Sequence, residues 1–401
     1  MHDTSIGVHP RNLNDLNKEE IMNIKRIEWF PLSLKSIKEG WTEDEYVWPS
    51  EIPSLLVKIT AEDGTYGIGE ASSQVWYLGE TREQMASVLA LYVQAIKGRR
   101  VFDIAGAHAA MESVYSGGTP GCRAARAGVD MALYDLVGKL QGLPVYELLS
   151  GAFRTSFEML TNLYFKTPAE MADGCKHFVD EGFRGLKIKV GDVLLAKGWS
   201  RANFKAELAK LDAAIESSPG DVYLDADANQ GWRSPKWTLT MLARYAGTTN
   251  LSIEQPLPFD DIPGAGFLRQ KLGIPLILDE SVWSPEAVMH LLRAEACDRI
   301  VIKLNRVGGF YPASQIVAMC SAANIGISVD TNPFTILGDT ACCHLAATIP
   351  VHYPVDCEGH LSFITLGEKN PFIRGVKCSA GTAHIDDSPG LGVDVDWSKL
   401  A

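Results

Sequence analysis

The chain has 401 residues, 46% of them hydrophobic and 21% charged, with a formal net charge of −12. This length and composition predict a globular protein with one large domain and a smaller one, or with two domains. The acidic balance argues against nucleic acid and against an anionic membrane surface as partners. No run of 18 apolar residues occurs, so the sequence predicts no membrane-spanning helix.

The first 21 residues and the cysteines bear on the compartment. Residues 1–21 are polar and lack the apolar core of a signal peptide. The eight cysteines form no C-x-x-C pair, and most of them lie in apolar helical or strand contexts. In a chain of this size that pattern is typical of buried free thiols, which predicts a cytoplasmic protein.

Residues 22–150 show a mixed pattern of strands and helices. The segment SLLVKITAEDGTYGIGE alternates apolar and polar residues around a Glu-Asp-Gly turn, which predicts a β-hairpin. The segment REQMASVLALYVQAIKG repeats apolar residues at helical spacing, and a longer helical segment ends at Gly142 and Pro144. We therefore predict an α+β domain over residues 22–150.

After Gly151 the pattern becomes a regular alternation of strands and helices. Strand-like runs fall near residues 157–164, 184–189, 222–227, 250–255, 275–279, 299–303, 325–330 and 353–357. Eight strands alternating with helices predict a closed (β/α)7β barrel of the TIM type over residues 151–365. The segment 366–401 is too short for a domain, and we expect it to pack back on the N-terminal domain, which would cap the barrel.

Three acidic residues each follow a short apolar run in this second region. They are Asp227 in VYLDADAN, Glu254 in LSIEQP and Asp279 in PLILDES. One such residue alone is more typical of a helix N-cap or a loop ion pair. Three in consecutive predicted strands, all ending on one face of a barrel, instead predict a site for a hard divalent cation such as Mg²⁺. Asp225 would point the same way but deeper, and Asn229 lies just beyond Asp227.

Lysines precede and follow these carboxylates. Lys187 and Lys189 stand two apart in GLKIKVG, and Lys303 ends RIVIKLN, so that successive intervals from Lys189 are 38, 27, 25 and 24 residues. Each interval is about one strand plus one helix. Lysines inside an apolar barrel are costly unless they are paired or functional. One interpretation is structural: both lysines of GLKIKVG extend to the barrel rim and keep their ammonium groups in water. The other is functional: a nearby cation lowers the pKa of a lysine, which can then act as a general base.

These residues together resemble the enolase superfamily, and within it the muconate lactonizing enzyme subgroup of the mandelate racemase/muconate lactonizing enzyme family. The resemblance is nearest to members that are dipeptide epimerases and amino-acid racemases, and it runs from about residue 22 to the end. Two features disfavour the mandelate racemase subgroup: strand seven, NIGISVDTN, has no His, and strand six ends in Lys303. The other motifs that carry the resemblance are GIGEAS, MALYDLVGK, PVYELLSG, DADANQGW, IKLNRVGG and PGLGV.

The resemblance implies roles for the six residues. Asp227, Glu254 and Asp279 would hold Mg²⁺, with Mn²⁺ as an alternative ion; Lys189 and Lys303 would act as acid and base on opposite faces of the substrate, and Lys187 would assist Lys189. The shared step would be removal of a proton α to a carboxylate, giving an enediolate. Reprotonation gives racemisation or epimerisation, loss of a β-substituent gives dehydration, and a muconate would undergo cycloisomerisation. The six residues do not choose among these reactions.

The choice depends on the last strand and on the capping loops. HYPVDCEGH places Asp356 and Glu358 two apart, which resembles the Asp-x-Asp-Gly motif of dipeptide epimerases, although the second acid here is Glu. A rim salt bridge is the alternative for both. Aromatic residues in the capping loops either pack the domain interface or surround a cationic nitrogen of the substrate; the three that we take as substrate-binding, together with Asn229, are Trp41, Trp48 and Trp76.

We therefore predict a racemase or epimerase of an amino-acid derivative or dipeptide. Its substrate would be a small carboxylate, either with a cationic group, as in a dipeptide or betaine, or without one, as in an N-modified amino acid. The alternative enzyme is a lyase, either a dehydratase of a hydroxylated amino acid or a cycloisomerase. A remote alternative is an inactive barrel that serves as a binding protein. We also expect a homo-oligomer.

Overall fold

The structure is a computed structural model that describes residues 22–36, 51–73, 78–114, 121–164, 167–191, 194, 197–331, 334–350, 353–357, 364–365, 367 and 370–400. Its N-terminal part is an antiparallel sheet with four helices. The sheet has the order β12-β1-β2-β3. Its elements are β1 (Ile24–Ser36), β2 (Glu51–Ala61), β3 (Tyr66–Ser72), α1 (Arg82–Ile96), α2 (Ile104–Glu112), α3 (Arg123–Gln141), α4 (Val145–Leu148) and, from the end of the chain, β12 (Ile364–Thr365).

The second part is a closed parallel barrel. Strands β4 to β11 pair in chain order, and β11 pairs in parallel with β4 to close the ring. The predicted TIM-like barrel is therefore confirmed. Its strands are β4 (Ser156–Leu163), β5 (Gly185–Lys189), β6 (Tyr223–Asp227), β7 (Leu251–Glu254), β8 (Leu276–Leu278), β9 (Arg299–Lys303), β10 (Gly326–Asp330) and β11 (Val355–Cys357).

Helices follow the barrel strands, and all but the short α10, which lies at the carboxyl end of β9, are longer than one turn. They are α5 (Pro168–Asp180), α6 (Arg201–Ser217), α7 (Pro235–Leu242), α8 (Ile262–Lys271), α9 (Pro285–Arg293), α10 (Leu304–Val307), α11 (Phe310–Ala322) and α12 (Ile336–Ala347). Three of them begin at a hydroxyl residue followed by proline: Thr167, Ser234 and Ser284 each accept a hydrogen bond from a first-turn backbone N–H. Proline fits the first helical position because its φ is already helical and its missing N–H has no partner there.

Two tail strands extend the barrel sheet, and the rest of the tail reaches the capping domain. Strands β13 (Lys377–Ser379) and β14 (Thr382–His384) form a hairpin that pairs antiparallel with the start of β4. Beyond them, the Trp397 ring lies 5.4 Å from Phe30 and 5.6 Å from Tyr66. The tail thus touches both units. We propose the domain division 22–150, 151–365 and 366–401.

Buried carboxylates of the capping domain bind the N-termini of barrel helices. Glu70 on β3 accepts hydrogen bonds from the backbone N–H groups of Thr335 and Gly338 at the start of α12. Asp130 on α3 accepts from the N–H groups of Phe310 and Tyr311 at the start of α11. Both acids are fully buried. A carboxylate is favourable at this end of a helix because the first N–H groups lack partners and the helix dipole is positive there.

Asp135 on α3 joins the tail to the capping domain. It accepts hydrogen bonds from the backbone N–H of Ile68 at 2.8 Å and of Leu391 at 2.7 Å. Close backbone packing accompanies it, since a Cβ added to Gly67 would lie 2.1 Å from the carbonyl oxygen of Ala132. The motifs GIGEAS, MALYDLVGK and PGLGV therefore meet at one interdomain contact.

The sequence predicts free cysteine thiols and no membrane-spanning helix. The cysteines whose side chains the structure describes are all free thiols, as predicted: Cys122, Cys175, Cys297, Cys320, Cys342, Cys343 and Cys378. Within the described ranges, no helix is long and apolar enough to cross a membrane.

We predict that Glu70 makes the stability of the fold depend on pH. Burial raises the pKa of Glu70 to about 7, although hydrogen bonds from Thr335 oppose the shift. The folded chain then holds a proton that the unfolded chain releases, so stability should fall as pH rises from about 4.5 through 7. A shift of this size corresponds to about 3 kcal/mol. Urea unfolding at pH 5 and pH 8 should show a smaller loss for Glu70→Gln than for the unmodified protein.

The control is Glu62→Gln, because Glu62 is exposed on the β2–β3 turn. It should lose as much stability between the two pH values as the unmodified protein does. Equal losses for Glu70→Gln and the unmodified protein would show that Glu70 is ionised throughout.

Candidate active site

The predicted acidic and basic residues meet at the carboxyl ends of the barrel strands. Strand register places Lys189, Asp227 and Glu254 side by side on β5, β6 and β7. Asp279 follows two residues after Ile277, which is the register partner of Glu254. On the other side of the ring, Lys303 is the register partner of Asp330 on β10. One face of the barrel thus carries all of these charges.

The lysines of β5 form buried ion pairs. The Lys187 Nζ lies 2.9 Å from Oε1 of Glu254 and 2.5 Å from Oδ2 of Asp356, so it bridges β7 and β11. The Lys189 Nζ lies 2.6 Å from Oδ2 of Asp227 and 5.2 Å from the centre of the Tyr164 ring. Neither lysine snorkels at the rim, because their exposed fractions are only 1% and 8%.

Lys303 approaches from the opposite side of the ring. Its Nζ lies 3.2 Å from Oδ2 of Asp279 and 2.7 Å from Oδ2 of Asp330. Arg306, in the short helix after β9, donates from Nη2 to Oδ1 of Asp279 at 2.6 Å. The sequence analysis did not predict three residues of this cluster: Asp330, Arg306 and the partly buried Glu280. Asp330 ends an apolar strand just as Asp227 does, so the same rule could have found it; Arg306 gave no such signal.

The charges of the cluster alter each other's pKa. Burial raises the pKa of Glu254 well above its usual value, and Lys187 offsets this only in part. Burial also raises the pKa of Glu280 to about 7, with Asp279 and Asp227 adding to the shift. Asp279 behaves oppositely: although burial opposes it, Arg306 and Lys303 hold its pKa well below the usual range. Despite burial, Asp356 and Glu254 raise the pKa of Lys187 well above its ordinary value.

The donor set fits a divalent cation. Among the described residues, six carboxyl groups of the cluster face four basic side chains, so full ionisation leaves two negative charges in excess: Asp227, Glu254, Asp279, Glu280, Asp330 and Asp356 against Lys187, Lys189, Lys303 and Arg306. Oε2 of Glu254 is buried and has no hydrogen-bond partner in the part of the chain described. Carboxylate oxygens are ligands that Mg²⁺ takes in proteins.

The same carboxylates are turned towards basic side chains. No three His, Cys, Asp or Glu side chains within the described ranges form a group that could hold a metal ion as they stand. Asp227 faces Lys189, Glu254 faces Lys187, and Asp279 faces Lys303 and Arg306. Binding of an ion by these acids would therefore require them to exchange contacts with an ammonium or guanidinium for contacts with the ion.

A second polar layer lies below this cluster. Asp225 precedes Asp227 by two residues on β6, so it lies deeper in the barrel, where Ser252 is its register partner. Its Oδ1 lies 3.3 Å from the Ser252 hydroxyl oxygen. Arg299 on β9 donates to the hydroxyl groups of Tyr223 and Ser252 and is almost fully buried. Arg299 lies close enough to Asp225 for their charges to interact. Asp225 therefore occupies a deeper position than the cluster above it.

The residues predicted to bind substrate are only partly described. Asn229 has its Nδ2 3.4 Å from Oε1 of Glu280, and its backbone N–H donates to Oδ1 of Asp227 at 2.9 Å. Asp356 is buried between Lys187 and Asn162, whose Nδ2 donates to Asp356 Oδ1 at 2.6 Å. The predicted positions Trp41, Trp48, Trp76 and Glu358 lie outside the described residues.

A cavity of about 780 Å³ lies between the capping domain and the barrel, next to this cluster. Glu80 and Arg123 line it from the capping domain, and Gln230, Glu280 and Arg306 line it from the barrel. The Arg123 guanidinium lies 5.2 Å from the centre of the Trp283 ring. The volume is in the range typical of small-molecule sites.

Sequence comparison links both units to one family. Residues 170–399 match the family profile described as enolase C-terminal domain-like, and residues 50–150 match the N-terminal domain of mandelate racemase / muconate lactonizing enzyme. An N-succinyl-L-Arg/Lys racemase of Bacillus cereus is 29% identical over 88% of this chain and 90% of its own. The L-Ala-D/L-Glu epimerase of Bacillus subtilis is 31% identical over 93% of this chain and 97% of its own.

Two further proteins extend the comparison. The cis-3-hydroxy-L-proline dehydratase of Roseibium aggregatum is 25% identical over 93% of this chain and 96% of its own. Among solved structures, the dipeptide epimerase of Enterococcus faecalis complexed with Mg and the dipeptide L-Leu-L-Tyr superposes with a TM-score of 0.80. That structure is 27% identical and covers 93% of this chain and 99% of its own.

We predict that Lys187 and Asp356 are energetically coupled. Lys187→Met should lower the free energy of unfolding by about 3–5 kcal/mol, because it leaves the buried carboxylates of Glu254 and Asp356 without their ammonium. The double variant Lys187→Met/Asp356→Asn should lose less than the sum of the two single losses. Urea unfolding without divalent cations measures this double-mutant cycle. Additive losses would mean that the ion pair contributes nothing to stability.

Proposed function

We propose that this enzyme, which belongs to the mandelate racemase/muconate lactonizing enzyme family of the enolase superfamily, is a Mg²⁺-dependent racemase or epimerase of an amino-acid derivative or dipeptide. One observation carries the proposal. Lys189 on β5 and Lys303 on β9 are separated by three strands in either direction round an eight-stranded ring, so they face each other across it. A carbon atom between them could lose a proton to one side and gain a proton from the other.

We propose Asp227, Glu254 and Asp279 as the residues that would hold the ion, with Mn²⁺ as an alternative. Two observations support this assignment: full ionisation of the cluster would leave two negative charges in excess, and Oε2 of Glu254 has no hydrogen-bond partner in the described part of the chain. When bound, the ion would supply positive charge beside the substrate carboxylate as that group becomes an enediolate.

The lysines would carry the proton transfers. Lys189 in its neutral form would take the α-proton on one face, while the Lys303 ammonium would return a proton on the other; the reverse reaction exchanges the roles. Lys187 lies between Glu254 and Asp356 and would remain an ammonium, so that it adds positive charge beside Lys189 without accepting the proton. Each turnover moves one proton from one lysine to the other through the substrate.

The class of substrate rests on the relatives and on the charges. The racemase and epimerase relatives are named for N-succinyl amino acids and a dipeptide, and we propose a small carboxylate of that kind. The role of Asp356 and Glu358 as ligands of a substrate ammonium remains a prediction, and Asp356 in its described position contacts Lys187. Among the aromatic residues, Trp41, Trp48 and Trp76 remain predictions as well.

A lyase is the second candidate function. The dehydratase relative supports it, because the same lysines and carboxylates could remove an α-proton and then release a β-hydroxyl group. An inactive barrel is disfavoured, since such a protein would have no need of three buried lysines beside six carboxyl groups. We also propose that the enzyme acts in the cytoplasm as a homo-oligomer.

The test is proton exchange in D₂O with Mg²⁺. Dipeptides, N-succinyl amino acids and hydroxyprolines, each supplied as both enantiomers or epimers, are followed by NMR at the α-carbon. Exchange with a change in optical rotation and no new ultraviolet absorbance supports the isomerase. New ultraviolet absorbance with loss of the hydroxyl group would favour the lyase. No exchange with any compound would count against both.

We expect Glu254→Gln to abolish turnover and weaken Mg²⁺ binding while the fold persists, because an amide oxygen is a poorer ligand than a carboxylate. Isothermal titration calorimetry with Mg²⁺ and circular dichroism measure the two effects. Ser252→Ala is the control, because Ser252 precedes Glu254 by two residues on β7, deeper in the barrel, and this variant should retain Mg²⁺ binding. Near-normal Mg²⁺ affinity in Glu254→Gln would refute the metal assignment.

The two lysines should be separable by isotope exchange. Lys189→Ala should lose exchange for one enantiomer and Lys303→Ala for the other, because each lysine would serve one face of the substrate. Exchange rates of both enantiomers in D₂O measure this for each variant. If both variants lose exchange equally from both enantiomers, a one-base mechanism such as that of a lyase is favoured instead.

A further inference from the structure

Asp330 is a buried carboxylate that neither the sequence nor the proposed chemistry has assigned. It is the last residue of β10 and is fully buried. Strand register makes it the lateral partner of Lys303 on β9. Its Oδ2 lies 2.7 Å from the Lys303 Nζ, which is closer than the 3.2 Å between that nitrogen and Asp279.

Two carboxylates contact Lys303 from opposite sides of its own strand. Asp279 follows β8, and Asp330 ends β10, while β9 lies between these two strands. A lysine side chain has a flexible four-carbon stem, so a single carboxylate would draw the ammonium to one side of its strand. Two carboxylates on opposite sides oppose each other's pull and restrict the ammonium to a narrow position above β9.

We propose that Asp330 is a positioning residue for Lys303. It holds the Lys303 ammonium against the attraction of Asp279 and so keeps it aimed at one face of the substrate. The proposal rests on the proposed function, in which Lys303 serves one of the two faces. Reacting atoms must lie within about 3–3.5 Å, and a displacement of about 1 Å can lower a rate by about 100-fold.

The neighbouring strand provides a matched comparison. Asp356 on β11 is the register partner of Asp330, and it is also buried. Its Oδ2 contacts Lys187 on β5, which assists the other face in the proposed reaction. The last two strands of the barrel thus place one carboxylate beside the Lys303 side and one beside the Lys187/Lys189 side. Substituting each acid in turn should affect opposite faces.

The experiment compares Asp330→Asn with Asp356→Asn in D₂O with saturating Mg²⁺. The probe is the enantiomer or epimer pair from the panel above that the unmodified enzyme exchanges fastest, and the faces are assigned with Lys189→Ala and Lys303→Ala. Asp330→Asn should lower exchange on the Lys303 face by about 10- to 100-fold relative to the Lys189 face, with KM changed by less than about threefold. Asp356→Asn should shift that ratio the other way.

A purely structural role would lower exchange on both faces alike, and that result, or an unchanged ratio, would overturn the proposal. Asp330→Glu keeps the charge but adds a methylene group, so it should show the same skew to a smaller degree even if Asp330→Asn folds poorly. Failure of the proposed function is distinct, because the unmodified enzyme would then exchange at most one enantiomer of any compound. In that case the crystal structure of Asp330→Asn decides: positioning requires the Lys303 Nζ to move by about 1 Å or more towards Asp279, and an unmoved Nζ overturns the proposal.

Discussion

Compensation of buried charge at the carboxyl end of the barrel is the constraint on which the site depends. A lone ammonium or carboxylate inside a protein is expensive, and ion pairs offset the cost only when each charge has a well-placed partner. Here each lysine on the inside of the ring lies within ion-pair distance of a carboxylate from another strand. Parallel strand pairing fixes the partners, because it sets Lys189 beside Asp227 and Lys303 beside Asp330. The chemistry that we propose uses charges that the fold already holds in place.

The remaining imbalance of the cluster is what connects the fold to a cation. Full ionisation of the cluster would leave two negative charges in excess, and burial raises the pKa values of Glu254 and Glu280, so a proton on either acid would relieve that excess. Oε2 of Glu254 has no hydrogen-bond partner among the described residues. A cation that bound only the folded chain would stabilise the folded state, and this stabilisation would increase with the concentration and the affinity of the cation. Stability and activity would then depend on the same carboxylates, while the Arg299–Asp225 layer beneath has its own compensating charge.

The capping domain uses buried carboxylates in a different way. Glu70 and Asp130 bind the N-termini of helices α12 and α11, and Asp135 binds the backbone of the tail. Three motifs that carry the family resemblance therefore have a structural explanation: they join the two units and the end of the chain. This contact holds Glu80 and Arg123 opposite Gln230 and Glu280 across the cavity. A substrate pocket between two units requires such a fixed relation between them.

The sequence by itself determined the barrel and the ring of predicted site residues. Apolar runs at intervals of about one strand plus one helix predict parallel strands, and a polar residue that ends such a run must lie at the ring's open face. Only the tertiary structure decided which of these charged residues form ion pairs with each other. Arg306 lies in a short helix with no periodic signal, yet it reaches Asp279. Asp356 pairs with Lys187 only because β11 closes on β4, which lies next to β5. Contacts across a closed ring depend on which strands become neighbours, and local sequence carries no record of that.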